Sequence, residues 1–140
     1  MNMQLQFVFD TNALISALLF ENSVPAQAFF TARRIGEILI SDALVTEISE
    51  VLHRKKFDRY LTQDDREEFL ISLVQFGRLV NVTEQISVCR DPKDNHILEL
   101  AVSGKSDAIV TGDDDLLPLH PFEGIAILDP RAFFEKYNSS

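Results

Sequence analysis

The hydrophobic pattern of this chain switches repeatedly between short apolar runs and longer amphipathic stretches. The apolar runs have the length of buried strands, and Gly or Pro residues bound most of the stretches between them. The pattern predicts strands at 6–9, 37–40, 79–82, 108–110 and 125–128, and helices at 13–20, 25–34, 42–52, 64–76, 92–103 and 130–137. Strands that alternate with helices predict a parallel sheet covered by helices, in the α/β class.

The length of 140 residues is that of one ordinary domain, and 46% hydrophobic residues are typical of a globular protein. The chain contains no repeat, low-complexity segment or linker, so we predict a single domain over residues 1–140. One cysteine, Cys89, cannot form an internal disulfide, which favours a reducing compartment. A membrane helix needs about 18 consecutive apolar residues, and no apolar run of this chain is that long. We therefore predict a cytoplasmic protein without membrane contact.

The net charge of −9 argues against a protein that binds nucleic acid through a broad basic surface. It is compatible with a site built from carboxylates, whose charge bound cations offset. The basic residues are also clustered, and Arg54, Lys55, Lys56 and Arg59 are candidates for contacts with a phosphate backbone, which is that of RNA in the family resemblance given below. A solvated helix end, with cations near its C-terminus, is an almost equally good interpretation of this segment.

Two acidic positions directly follow predicted strands. Asp10 follows the first strand and precedes the polar residues Thr11 and Asn12, whereas Asp113 lies in the acidic run that begins at Thr111. Ligands of parallel sheets bind beyond the carboxyl ends of the strands, so Asp10 and Asp113 are expected at one edge. Taken alone, Asp10 could simply cap a helix, and the acidic run could be an ordinary turn. In the functional interpretation Asp115 assists Asp113.

Helical phase selects two further acids. Glu47 lies at the border of the apolar face of its helix, whereas Glu50 points away from that face. Asp94 is in line with the apolar residues of the next predicted helix, whose N-cap is Asp91 followed by proline. His96 is expected on the opposite, solvated face of that helix.

Carboxylates gathered at one place raise each other's pKa values, and a hard divalent cation is the simplest compensation. We therefore predict a Mg²⁺ or Mn²⁺ site that hydrolyses phosphodiesters with a metal-activated water. The predicted catalytic acids and metal ligands are Asp10, Glu47, Asp94 and Asp113, with Asp115 as a further ligand; the predicted supporting residues are Thr11, Asn12, Asp91 and Thr111. The chain has no Gly-rich phosphate loop, zinc-type Cys/His spacing or serine nucleophile elbow.

Four segments, taken in order, resemble the PIN domain family, and in particular its bacterial toxins of toxin–antitoxin systems. They are Val8–Asn12, the helix with Glu47 that leads to Val51–Arg54, Asp91–Ala101 and Ile109–Leu117. The resemblance covers Leu5 to about Tyr137 and implies a three-layer α/β/α sandwich with a central, mostly parallel sheet. It also implies a Mg²⁺- or Mn²⁺-dependent endoribonuclease with an RNA substrate, an antitoxin partner and a homodimeric state.

In this resemblance the four family acids correspond to Asp10, Glu47, Asp94 and Asp113. Asp115 corresponds to an accessory acid, and Thr11 or Asn12 to the polar residue that orients the first acid.

Two alternatives stay open at the level of sequence. The first is a non-catalytic RNA- or protein-binding module of the same fold. The second is a phospho-acceptor α/β domain that uses Asp10 as its nucleophile. An Asp-x-Asp motif is expected in one class of such domains, and position 12 is Asn. This departure favours the metal-dependent nuclease over the phospho-acceptor.

Overall fold

The computed structural model describes residues 4–138, which form five strands and six α-helices. The strands are β1 (Leu5–Phe9), β2 (Gly36–Ile40), β3 (Arg78–Leu79), β4 (Ala108–Val110) and β5 (Ala126–Leu128). The helices are α1 (Thr11–Leu19), α2 (Val24–Ile35), α3 (Asp42–Leu52), α4 (Gln63–Phe76), α5 (Asn95–Ser103) and α6 (Pro130–Tyr137). Short 3₁₀ turns occupy Lys55–Phe57, Pro92–Asp94 and Leu117–Leu119.

The five strands form one sheet in the order β3-β2-β1-β4-β5, and every neighbouring pair is parallel. The predicted α/β/α sandwich is therefore confirmed, with a sheet that is wholly parallel. From β1 the chain builds outward through β2 to β3 and then returns to place β4 on the other side of β1. This reversal of strand order opens a crevice beyond the carboxyl ends of β1 and β4, where ligands bind in sheets of this type.

The central strand β1 is covered on both faces. Phe7, Val8 and Phe9 are each fully buried, as expected for a parallel strand between two helical layers. Phe7 packs edge-on against Phe133 of α6 at 4.9 Å between ring centroids, and Phe9 packs against Phe29 of α2 at 5.7 Å. Such aromatic pairs contribute about 0.5–1.5 kcal/mol each beyond their buried area. They hold β1, and therefore the residue that follows it, in a fixed place.

Most boundaries agree with the sequence prediction to within one residue, and the larger differences have local reasons. Helix α1 begins two residues early because the side chain of Asp10 accepts a hydrogen bond from the Ala13 amide. Strand β3 has only two residues, although the Val80 amide still donates to the Ile40 carbonyl at 2.8 Å. The predicted helix at Pro92 begins as a 3₁₀ turn, and regular α-helix starts only at Asn95.

Among residues 4–138, no single helix combines the length and apolar character needed to cross a membrane. Only α1 and α2 taken together meet that test, and the chain bends by 99° between them.

The backbones of β1 and β2 approach each other closely at Gly36. A Cβ atom at this position would lie 2.3 Å from the carbonyl oxygen of Leu5, its partner in the strand register. The clash is with backbone that the strand pairing holds in place, so we expect Gly36→Ala to lower the free energy of unfolding by about 1–3 kcal/mol. Urea unfolding followed by far-ultraviolet circular dichroism measures this change.

Gly112→Ala is the matched control because a Cβ there meets nothing within 4 Å. We expect it to change the free energy of unfolding by less than about 0.5 kcal/mol. Equal stabilities of the two variants would contradict the close approach at Gly36.

Candidate active site

Asp10 directly follows the central strand and caps α1. Its side chain is buried, with Oδ1 accepting a hydrogen bond from the Ala13 amide at 2.8 Å and Oδ2 accepting one from the Thr111 hydroxyl. Thr111 follows β4 and is itself fully buried. One carboxylate thus joins the ends of two neighbouring strands.

The loop after β4 is folded toward Asp10 by its own hydrogen bonds. The Asp113 amide donates to the Thr111 hydroxyl oxygen at 3.0 Å, and the Asp115 amide donates to Oδ1 of Asp113 at 2.8 Å. Asp114 is exposed, whereas its two neighbours are half-buried. The acidic run is therefore an ordered turn that directs Asp113 and Asp115 toward the crevice.

Glu47 reaches the same crevice from α3. Its Oε1 accepts hydrogen bonds from the Thr11 hydroxyl and, at 3.0 Å, from Nε2 of His96. The hydrogen bond from His96 lowers the pKa of Glu47, burial opposes this effect, and Thr11 and the charge of Arg54 lower the pKa further. The carboxylate of Glu47 is thus held in its ionised form in a fixed orientation.

The prediction that His96 is solvated is wrong. Its side chain is only 18% exposed and contacts Glu47. The prediction placed His96 opposite the apolar residues Ile97, Leu98 and Ala101. In the structure Leu100, one turn after His96, is also fully buried, so the buried face of α5 extends to His96, which lies toward α3. Phase analysis of the sequence missed this residue because it assumed too narrow a buried face.

Asp94 ends the 3₁₀ turn that precedes α5. Its Oδ2 atom is buried and has no hydrogen-bond partner among residues 4–138. Asp94, Asp113 and Asp115 each offer a carboxylate oxygen, and these oxygens lie within 4.8 Å of one another. Asp10 is outside this group of three, but together with Asp94 and Asp113 it lines a small cavity.

That cavity has a volume of about 100 Å³. Its lining contains all four predicted catalytic acids, namely Asp10, Glu47, Asp94 and Asp113, together with Thr11, Asn12 and Arg54.

The close carboxylates perturb one another. Burial raises the pKa of Asp10 to about 6, and the charges of Asp113 and Glu47 add to this effect against the hydrogen bonds from Thr111 and Ala13. Burial also raises the pKa of Asp94 to about 6, with further contributions from Asp113 and Asp91. The buried Oδ2 atom of Asp94 lacks a hydrogen-bond donor, and the neighbouring acids offer oxygen ligands. Such an arrangement fits a hard divalent cation.

Most of the remaining predicted residues lie outside this cavity. Asp91 is exposed and caps the 3₁₀ turn, accepting a hydrogen bond from the Lys93 amide at 3.0 Å. Of the predicted RNA-binding cations only Arg54 lines the cavity, whereas Lys55, Lys56 and Arg59 are exposed outside it.

Two arginines outside the predicted set shape the surroundings. The guanidinium of Arg90, which is largely exposed, forms an ion pair with Asp115 at 2.5 Å. Arg66 is buried and donates to the carbonyls of Leu52 and Leu61 and to the carboxylate of Asp58. Arg66 thereby fixes the segment after α3 that carries Arg54.

The model of the PIN domain family matches residues 6–115 of the chain. This chain belongs to the PIN domain family. The matched region contains every predicted acidic residue, from Asp10 to Asp115. The family prediction is therefore confirmed, and the acidic cavity lies within the matched region. PIN domains are generally nucleases.

Among curated proteins, the uncharacterized protein MJ1680 of Methanocaldococcus jannaschii is 29% identical over 120 residues, which cover 83% of this chain and 76% of the relative. Two solved structures share the fold. PAE2754 from Pyrobaculum aerophilum has a TM-score of 0.65 at 14% identity, covering 97% of this chain and 91% of that one. VapBC2 from Rickettsia felis, bound to a DNA fragment from its promoter, has a TM-score of 0.62 at 9% identity, covering 88% and 97%.

The raised pKa of Asp10 predicts how stability of the metal-free protein depends on pH. Because the folded-state pKa of about 6 exceeds the ordinary 3.8, the folded protein binds this proton more tightly than the unfolded chain does. Stability is therefore lost as pH rises from about 4 to about 6, and the loss is constant above that range. At pH 7.5 we expect Asp10→Asn to raise the free energy of unfolding by about 1–3 kcal/mol.

Urea unfolding in EDTA at several pH values measures this gain, which should vanish near pH 4. Asp114→Asn, at an exposed position of the same acidic site, serves as the control and should leave stability unchanged. A destabilised Asp10→Asn protein at pH 7.5 would contradict the expected cost of ionising Asp10.

Proposed function

We propose that this PIN domain is a Mg²⁺- or Mn²⁺-dependent phosphodiesterase that cleaves RNA as an endonuclease. The observation that carries the proposal is the convergence of four acids on one cavity at the carboxyl edge of the sheet. The buried, unpartnered Oδ2 atom of Asp94 supports it, because an orphan carboxylate oxygen is costly unless a cation or donor meets it.

In this proposal Asp10, Glu47, Asp94 and Asp113 hold the cation, and Asp115 assists them. A bound divalent cation supplies Lewis-acid activation of water and neutralises charge that develops at the phosphate. The neighbouring hydrogen bonds set the orientation of the carboxylates. Both hydrogen bonds to Glu47 fall on Oε1, so Oε2 is the atom left to face a cation.

Two arginines near the acids are proposed to bind phosphate. Arg54 lines the cavity, and Arg90 forms an ion pair with Asp115, whose carboxylate lies close to those of Asp94 and Asp113. Guanidinium groups bind phosphate oxygens in a bidentate manner. In this proposal the two arginines bind the phosphate backbone of the substrate. Lys55, Lys56 and Arg59 lie outside the cavity and attract the substrate only at long range.

Metal binding is measured without any substrate. We expect Mn²⁺ to raise the melting temperature of the wild-type protein in differential scanning fluorimetry, since a ligand of the folded state stabilises it. Asp94→Asn removes a proposed ligand and should abolish most of the shift, whereas Glu50→Gln, on the exposed side of α3, should retain it. Because the pKa values of Asp10 and Asp94 are about 6, Mn²⁺ affinity should fall as pH drops below that value.

A wild-type melting temperature that does not respond to Mn²⁺ or Mg²⁺ would contradict the metal site. An Asp94→Asn protein that responds as the wild type does would remove Asp94 from it.

Cleavage tests the activity itself. End-labelled single-stranded RNA of mixed sequence should be cut in Mg²⁺ or Mn²⁺ and left intact in EDTA. Each of Asp10→Asn, Glu47→Gln, Asp94→Asn and Asp113→Asn should lower the cleavage rate by roughly 100-fold or more. Glu50→Gln and Asp114→Asn are matched controls that should cleave normally. Cleavage of DNA alone would reject RNA as the substrate, and no cleavage of either polymer would reject the nuclease.

We further propose that the chain is the toxin of a toxin–antitoxin pair, acts in the cytoplasm as a homodimer and has an antitoxin as its protein partner. The VapBC2 neighbour and the resemblance of the motifs support this assignment. Growth arrest on expression, absent for Asp10→Asn, tests the toxin role, and light scattering of the purified protein tests the dimer.

The phospho-acceptor alternative fits the geometry less well. Both oxygens of Asp10 accept hydrogen bonds and the side chain is 7% exposed, so it is poorly placed to attack an incoming phosphate. Stable labelling of Asp10 by a phosphoryl donor would reverse this assignment.

A further inference from the structure

A second cavity, with a volume of about 370 Å³, lies beside the acidic one at the carboxyl ends of β2 and β3. Its walls are the first residues of α3, the chain that leaves β3 and two side chains of α5. His96 forms part of the boundary between the two cavities. It lines the larger cavity and donates from Nε2 to Glu47, which lines the smaller one.

The position of this cavity suits a strand that crosses the acidic site. Neighbouring strands of a sheet lie about 4.8 Å apart, so the ends of β2 and β3 are roughly 5–10 Å from the end of β1. Nucleotides of a stacked strand are spaced by about 3.4 Å. A base within one to three nucleotides of a phosphate at Asp10 therefore falls within reach of this cavity.

The lining favours a base over a phosphate. Within the described residues no Lys or Arg lines the cavity, whereas the acidic residues Asp42 and Glu99 do. Phosphate is repelled by such a site, but apolar contact is available from Val82 and from Leu79, whose side chain is 60% exposed. A neutral, flat ligand with apolar faces fits these walls.

Two exposed polar side chains line the cavity. The Asp42 carboxylate only accepts hydrogen bonds, whereas the Asn81 amide accepts through its oxygen and donates through its NH₂ group. Adenine, cytosine and guanine carry an exocyclic amino group that donates to a carboxylate, whereas the N3–H donor of uracil lies between two carbonyl oxygens that a carboxylate repels. Splayed-out bases of single-stranded RNA are commonly recognised by contacts of this kind.

We propose that this cavity, the base cavity, binds an amino-bearing nucleobase of the RNA strand whose scissile phosphate lies at the acidic site. Asp42 determines which base is accepted, Asn81 adds a hydrogen bond that any base can match, and Leu79 and Val82 pack against the faces of the base. The assignment to RNA rests on the proposed function, but binding of the base requires neither metal nor cleavage.

A titration of the metal-free wild-type protein with neutral nucleosides tests the base cavity directly. In ¹H–¹⁵N correlation spectra, adenosine and cytidine should shift the amide signals of Ala43, Asn81 and Val82. Uridine should bind at least about fivefold more weakly, the effect of one lost hydrogen bond. Absence of shifts with every nucleoside at millimolar concentration would overturn the proposal and leave the cavity to a protein side chain. Equal binding of uridine would overturn the role of the amino group.

A pair of variants links the cavity to cleavage. Asp42→Asn should lower adenosine affinity and remove the preference for adenine over uracil in cleavage of RNA oligonucleotides, a change of about fivefold in kcat/KM. Asp64→Asn, at an exposed carboxylate in the first turn of α4 and away from both cavities, should preserve the preference.

The two proposals fail in different ways. Nucleoside-induced shifts without RNA cleavage support the base cavity and reject the nuclease. Cleavage whose base preference is unchanged in Asp42→Asn rejects the base cavity and leaves the nuclease intact.

Discussion

The site depends on the hydroxyl of Thr111, which connects the ends of the two central strands. It donates to Asp10 after β1 and accepts from the Asp113 amide after β4. The strand order reverses between these strands, which opens the crevice beyond their carboxyl ends. One buried hydroxyl therefore fixes the relative positions of two acids that are separated by more than one hundred residues in sequence.

Placing these acids close together lowers the stability of the folded protein, and packing in the core beneath them compensates for this loss. The pKa values of Asp10 and Asp94 are raised because their charges are poorly solvated and close to other carboxylates. The aromatic cluster around Phe7 and Phe9 lies directly below the site and is fully packed. A rigid core beneath a strained charge cluster is the expected arrangement for a functional site, since loose support would let the carboxylates separate.

Much of this arrangement was accessible from the sequence. Apolar runs with strand length predicted β1, β2 and β4, and the rule for strand ends placed Asp10 and Asp113 together. Helical phase chose Glu47 over Glu50 because α3 is regular and its apolar face is unambiguous.

The contacts of His96 could not be predicted by the same means. The buried face of α5 is wider than its apolar residues Ile97, Leu98 and Ala101 suggest, and the neighbour that buries His96 is a helix distant in sequence. The ion pair of Arg90 with Asp115 depends on the path of an irregular loop for which periodicity carries no information. What the sequence could not provide was therefore tertiary contact, not the identity of the acids.

The net charge of −9 constrains how such a protein recognises a polyanion. Without a broad basic surface, few counterions are released on binding, and affinity from phosphate contacts is limited to cations such as Arg54 and Arg90. Under the proposed function, the remaining affinity must come from the metal at the acids and from contacts with bases. A base cavity separated from the acidic site by His96 supplies such contacts, and it does so where the acidic lining excludes phosphate. Acidic composition and nucleic-acid cleavage are then compatible, because recognition is confined to the sheet edge where the metal and the base cavity adjoin.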